Sequence, residues 1–162
     1  MPVNEILAEE IGAQDDASYV FLHLPKSPGV MYQLNRDDRG GITMKILRSE
    51  ELMGIVNPTP GVRHRLNVLT EEDNAKTLAG HLSILSPGGD VPYHYHEKRE
   101  SLIFLFDGEL VEIVDGKEFP VKAGDVIYVA AGEKHKMENR SAREARYIEF
   151  FTPIVKDFIT VN

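Results

Sequence analysis

Two histidines, His94 and His96, stand two residues apart in "GGDVPYHYHEKRE", and a glutamate, Glu100, follows four residues after the second. On an extended segment side chains alternate with period two, so both imidazoles share one face and Tyr93 and Tyr95 take the other. Two neutral imidazoles need that geometry to bind one cation. A further carboxylate and histidine from neighbouring strands would complete three or four N/O ligands. Such a set suits Fe(II), Mn(II), Ni(II), Co(II) or Zn(II) and leaves positions for water or substrate. An H-x-H pair alone is a weak signal, and two exposed polar residues in a Pro/Gly-rich loop would read the same way. The elements around the pair decide between these readings.

Those elements are short strands. "VRHRLNVL" (62–69) alternates, with Val62, His64, Leu66 and Val68 on one face and Arg63, Arg65 and Asn67 on the other. "TLAGHLSIL" (77–85) ends at "SPGGD" and is followed by "ESLIFLF", "ELVEIV", "KEFPV", "DVIYVA", "KHKMEN" and "ARYIEFF". Asp-Gly pairs at 107–108 and 115–116 separate these runs, and glycine accepts the positive φ of a tight hairpin turn. Upstream, residues 4–11 read as a short helix with Asn4 as its cap, and 19–24 and 29–34 as strands. "ITMKILRSEELMGI" fits either strand or helix. Many short strands with almost no helix indicate an all-β antiparallel sandwich or barrel. The expected organisation is an N-terminal extension, residues 1–60, packing on the barrel or across a dimer, and a barrel domain over 61–162.

"GGDVPYHYHEKRE" with "SLIFLFDG", and then "GDVIYVAAGEKHKMEN", resembles the two signature motifs of the cupin superfamily. In the first, Gly88 precedes His94 by six residues, and His96 and Glu100 follow. In the second, Gly124, Gly132, His135 and Asn139 match the family's Gly, Gly, His and Asn. The likeness covers residues 80 to 151. It implies a double-stranded β-helix, or jelly roll, with one divalent transition metal held by His94, His96, Glu100 and His135.

Two positions depart from the pattern. Ala130 replaces a usual proline, at no cost in ligands. Seven residues, rather than the usual six, separate Glu100 from Gly108, and counting back from Gly108 puts Ser101 at the ligand position. A one-residue offset turns a strand side chain to the opposite face. Either a β-bulge between residues 97 and 103 returns Glu100 to the interior, or Glu100 faces out and three histidines bind alone. Three neutral imidazoles would leave the metal's full charge for an anionic substrate. On the same strand Leu102, Phe104 and Phe106 share one face and Ile103 and Leu105 the other, so both faces read as buried. The second face then needs cover, from the N-terminal extension or a second protomer, and a homodimer is expected.

Other candidates have plainer explanations. His81, in phase with Ser83, could line the pocket or be a satisfied histidine. His64 reads as a buried structural histidine and His23 points to no site. Arg63 and Arg65 form a short basic cluster for which anion recognition is conceivable, but whose default reading is an edge strand blunted by charge. Tyr128 and Tyr147 read as packing residues that could offer a phenol.

Composition narrows the function. A net charge of −8 argues against nucleic acid or an anionic membrane as partner. The chain has no cysteine, which excludes disulfides, Cys-ligated zinc and a thiol nucleophile and fits a cytoplasmic setting. The N-terminus reads as lacking a secretion leader, and no apolar run approaches the roughly 20 residues of a membrane span. The expected function is a small metal-dependent enzyme acting on a small oxygenated organic acid, enol or aromatic substrate, with dioxygenase chemistry first among lyase, isomerase and decarboxylase alternatives. The competing reading is a non-catalytic module that binds a small ligand or metal.

Overall fold

A computed structural model of the chain describes residues 19–23, 31–36 and 42–161. The expected helix over 4–11 lies outside the described residues. The chain divides into two units, Met1–Val56 and Asn57–Asn162. In the first, β1 (Tyr19–His23), β2 (Met31–Arg36) and β3 (Ile42–Ile46) form an antiparallel sheet in that order. The ambiguous segment then resolves into both states: β3 gives way to the helix α1 (Ser49–Gly54). Glu50 and Glu51 in its first turn suit the positive end of the helix dipole.

The second unit holds β4 (His64–Leu69), β5 (Ala79–Leu85), β6 (Asp90–Tyr95), β7 (Glu100–Asp107), β8 (Glu109–Val114), β9 (Lys117–Lys122), β10 (Val126–Val129), β11 (His135–Glu138), β12 (Ala145–Thr152) and β13 (Ile159–Thr160). They form two five-stranded antiparallel sheets, ordered β10-β7-β12-β5-β4 and β13-β6-β11-β8-β9. From β5 onward every connection except β8–β9 carries the chain from one sheet to the other. That alternation is a double-stranded β-helix, the form that the cupin resemblance implies within the antiparallel sandwich or barrel indicated by the strand and turn rhythm. The inner faces meet over Leu85, Val91, Ile103, Leu105, Leu110, Val129, Met137, Ala145 and Tyr147, which are buried together.

The motif glycines and asparagine close the turns. Gly108 (φ +84°) lies so close to β12 that a β-carbon would stand 2.8 Å from the Ala145 Cα. Asn139, buried, donates from its side-chain amide to the carbonyls of Leu85 and Arg143. Its backbone N–H bonds Gly89 and its carbonyl accepts from Gly88. The glycines of the first motif and the asparagine of the second thus join the ends of β5 and β11.

The register of β7 corrects two expectations. Ser101, Ile103 and Leu105 point inward and are buried, while Glu100, Leu102 and Phe104 point out. Ser101 pairs with Phe151 and Glu100 with Thr152, in unbroken register as far as Leu105. The irregularity comes afterwards: Leu105 pairs with Tyr147 and Asp107 with Arg146, leaving Phe106 as the extra residue. The bulge therefore lies near the turn, where it cannot rotate Glu100 inward. Nor are both faces of β7 buried: Leu102 is 48% and Phe104 41% exposed.

Candidate metal centre

His94 lies on β6, His96 one residue past its end, and His135 opens β11, where its Cα is the register partner of His94. Antiparallel pairing of β6 with β11 brings residues 41 apart in sequence onto one inner surface. The three residues are 3%, 1% and 4% exposed. One nitrogen from each can be chosen so that all lie within 4.8 Å of one another, the one such group of three among the described residues.

Hydrogen bonds set which nitrogens these are. The Nδ1–H of His94 donates to the Pro92 carbonyl at 2.7 Å. That of His96 donates to the Asp157 carbonyl. That of His135 donates to Glu112 Oε1 at 2.6 Å. Each acceptor fixes the proton on Nδ1 and makes Nε2 the nitrogen with the lone pair, the arrangement in which histidines serve as oriented metal ligands. His135 Nε2 is buried without a partner. Burial, with His135 and His96 alongside, pushes the His94 ring down to about 4, and burial lowers His96 as well, so both are neutral at pH 7. Burial raises the Glu112 carboxyl, and the bond from His135 opposes the rise. By donor type, tautomer and the orphaned Nε2, these residues fit a divalent transition metal.

One contact competes. Arg99 Nη2 donates to His96 Nε2 at 2.8 Å and to Glu149 Oε1 at 2.8 Å, and its guanidinium lies 4.3 Å over the Phe151 ring. Glu149 also accepts from Ser101 Oγ at 2.7 Å and from His81 Nε2 at 3.1 Å. Burial would raise the Glu149 carboxyl, but the bond and charge from His81, Arg99 and the Ser101 hydroxyl outweigh it and hold the acid well below its ordinary range. Burial lowers His81, the bond to Glu149 opposes the fall, and its buried Nδ1 has no partner.

Glu100 is not in this group. It is exposed on the outer face of β7 beside Tyr128, so the expectation that it joins the three histidines is corrected by the strand register. Sequence reading overlooked the carboxylates that are inside. Glu112 and Glu149 sit within strongly apolar strands, "ELVEIV" and "RYIEFF", and a charged residue in phase with an inner face was the available signal. It overlooked the C-terminal segment too. Asp157 accepts from the backbone N–H groups of Glu97, Lys98 and Arg99, β13 pairs with β6, and the Phe158 ring stacks on His94 with centroids 4.0 Å apart.

A small cavity opens on the cluster, lined by His94, His135, His81, Glu149, Arg99 and Phe158 among others. Val91, Ile103, Met137 and Tyr147 of the core complete its wall. Of the remaining candidates, His81 lines the cavity. Tyr147 does so from the core, and Arg63 and Arg65 also face it. His64 lies half-buried on the opposite face of β4. His23 falls among residues whose side chains are not described.

The family model described as the cupin domain matches residues 81–151. The oxalate-binding protein of Thermotoga maritima is 36% identical over 64 residues, 40% of this chain and 53% of that protein. The tetracenomycin polyketide synthase protein TcmJ of Streptomyces glaucescens is 33% identical over 75 residues, 46% of this chain and 50% of that protein. This chain thus spans about half the length of these curated relatives. A protein from Klebsiella pneumoniae with a double-stranded β-helix domain superposes with a TM-score of 0.61 at 20% identity, covering 72% of this chain and 97% of its own.

Proposed function

Because this chain belongs to the cupin superfamily, we propose that it binds one divalent transition metal through Nε2 of His94, His96 and His135 and works as a small metal-dependent enzyme on an oxygenated organic acid, enol or aromatic substrate. The observation that carries this reading is the convergence of three buried imidazoles, each with its δ-proton already given to an acceptor. When bound, the ion supplies Lewis-acid polarisation of a substrate oxygen, or O₂ chemistry if it is iron. Glu112 holds the His135 ring in orientation, and the Asp157 carbonyl does the same for His96. Arg99 must exchange its bond to His96 Nε2 for its remaining bond to Glu149 as a cation enters. Val91, Ile103 and Met137 give the inner end apolar walls. Dioxygenase chemistry is the first choice to test.

The second reading is a non-catalytic module that binds a small ligand, favoured by the likeness to a relative named for binding oxalate. We further propose a homodimer, through the outer face where Leu102 pairs with Tyr128 and Phe104 with Val126, all four exposed.

Metal analysis of untagged protein decides the first point. About one transition-metal ion per chain is expected, and none after reconstitution would overturn the proposal. Zinc as the native ion, with no O₂ consumed on enol or catechol substrates, would replace dioxygenase by lyase or binding module.

A further inference from the structure

The inner face of the β4 sheet forms rows across the strands. Arg65 pairs with Ser83 of β5, which pairs with Tyr147 of β12, which pairs with Leu105 of β7. One row along, Asn67 pairs with His81, His81 with Glu149, and Glu149 with Ile103. Arg65 and Asn67 therefore stand on the same sheet face as His81 and Glu149, and Arg63, two residues before Arg65, shares their side of the chain. β4 is the edge strand of its sheet, as the basic cluster suggested, and Arg63, half-buried, and Arg65, exposed, stand at the rim of the cavity that they line. Arg63, Arg65, Arg99 and Phe158 line both the inner cavity and a wider groove outside it, so they form the neck between the two.

The charge at this neck is unbalanced. Three guanidinium groups line the inner cavity against one carboxylate, Glu149, whose oxygens already accept from Arg99, Ser101 and His81. On the groove side Asp157 is occupied by three backbone N–H groups, while Glu71 and Lys156 offset each other. Arg63 lies near the Tyr147 hydroxyl, a neutral group, and neither Arg63 nor Arg65 has an ion-pair partner among the described residues. In a chain of net charge −8, concentrating unpaired arginines at the entrance to one cavity produces a local positive potential. Guanidinium forks match the paired oxygens of an oxyanion bidentately.

We propose that the neck formed by Arg63, Arg65 and Arg99 is an anion subsite, which takes a carboxylate or phosphate group of a small ligand and presents the rest of that ligand to the three histidines. This rests on the reading of the cavity as a ligand site, but the arginines bind the anion whether or not a metal is present.

Calorimetric titration of metal-loaded and metal-stripped protein with malonate, inorganic phosphate and uncharged malonamide tests it, with metal content of each variant measured in parallel. At least one of the two anions should bind both forms and malonamide neither; which anion binds more tightly identifies the carboxylate or phosphate source. R63Q and R65Q should each weaken that binding about ten- to a hundredfold, as loss of a charge-assisted pair implies, and leave metal content unchanged. R65K keeps the charge without the fork and should fall between. If wild-type protein binds neither anion, or R63Q and R65Q bind as tightly as wild type, the subsite is refuted while the metal centre stands. If anions bind and the protein takes up no metal, the metal reading fails and the subsite stands.

Discussion

Replacing Glu149 by alanine removes the acceptor shared by three buried donors. Arg99 and Glu149 are 6% and 8% exposed, and Ser101 and His81 are more buried still. Removing one partner of a buried ion pair costs about 3–5 kcal/mol, because the other charge stays in the interior. The Ser101 hydroxyl and the His81 Nε2–H lose their acceptor as well, but these losses share one network and do not add. Arg99 keeps its bond to His96 and its place over Phe151, which limits the damage. The expected loss is about 4 kcal/mol, or roughly 8–16 °C in Tm for a chain of this size. Urea unfolding followed by circular dichroism measures it.

Glu149→Gln keeps the shape and one acceptor, and should lose about half as much. The acid is held below its ordinary value when folded, so its contribution is complete above that value and disappears as pH falls through the acid range. The gap between wild type and Glu149→Gln should therefore be constant near neutrality and close below about pH 4. Pairing Glu149→Leu with Arg99→Met should recover much of the stability, since an apolar pair carries no uncompensated charge. A loss under about 1 kcal/mol for Glu149→Ala, outside the range for breaking a buried pair, or a gap that does not depend on pH, would refute the network.

Three other substitutions probe the centre and its frame. Glu112→Gln should weaken metal binding about ten- to a hundredfold in a chelator competition, because the carboxylate fixes the orientation and tautomer of His135. Glu100→Ala, on the outer face, should leave metal affinity unchanged and shift stability by less than about 0.5 kcal/mol, whereas Ser101→Ala should cost about 1–2 kcal/mol by urea unfolding. Gly108→Ala combines a positive φ with a β-carbon pressed on Ala145, and should cost about 3 kcal/mol in the same assay.

The sequence by itself determined the barrel and three of the histidines. Alternating runs broken by glycines that need positive φ are local properties, and so is the shared face of His94 and His96. The distant match at His135 and Asn139 came from the resemblance to the cupin motifs, and the structure has Asn139 tying the two motif turns together. Only the tertiary structure decided the face of Glu100. Counting residues shows that one is extra between Glu100 and Gly108, but not whether the strand absorbs it before or after Ser101. Pairing with β12 settles that at Phe106. The same holds for the interior charges. Glu149 gains its role from Arg99 and Ser101, 50 and 48 residues away, and Arg63 and Arg65 gain theirs from the strand order that turns one face of β4 toward the cavity. Periodicity fixes which side chains share a face, but strand order and register fix what that face meets.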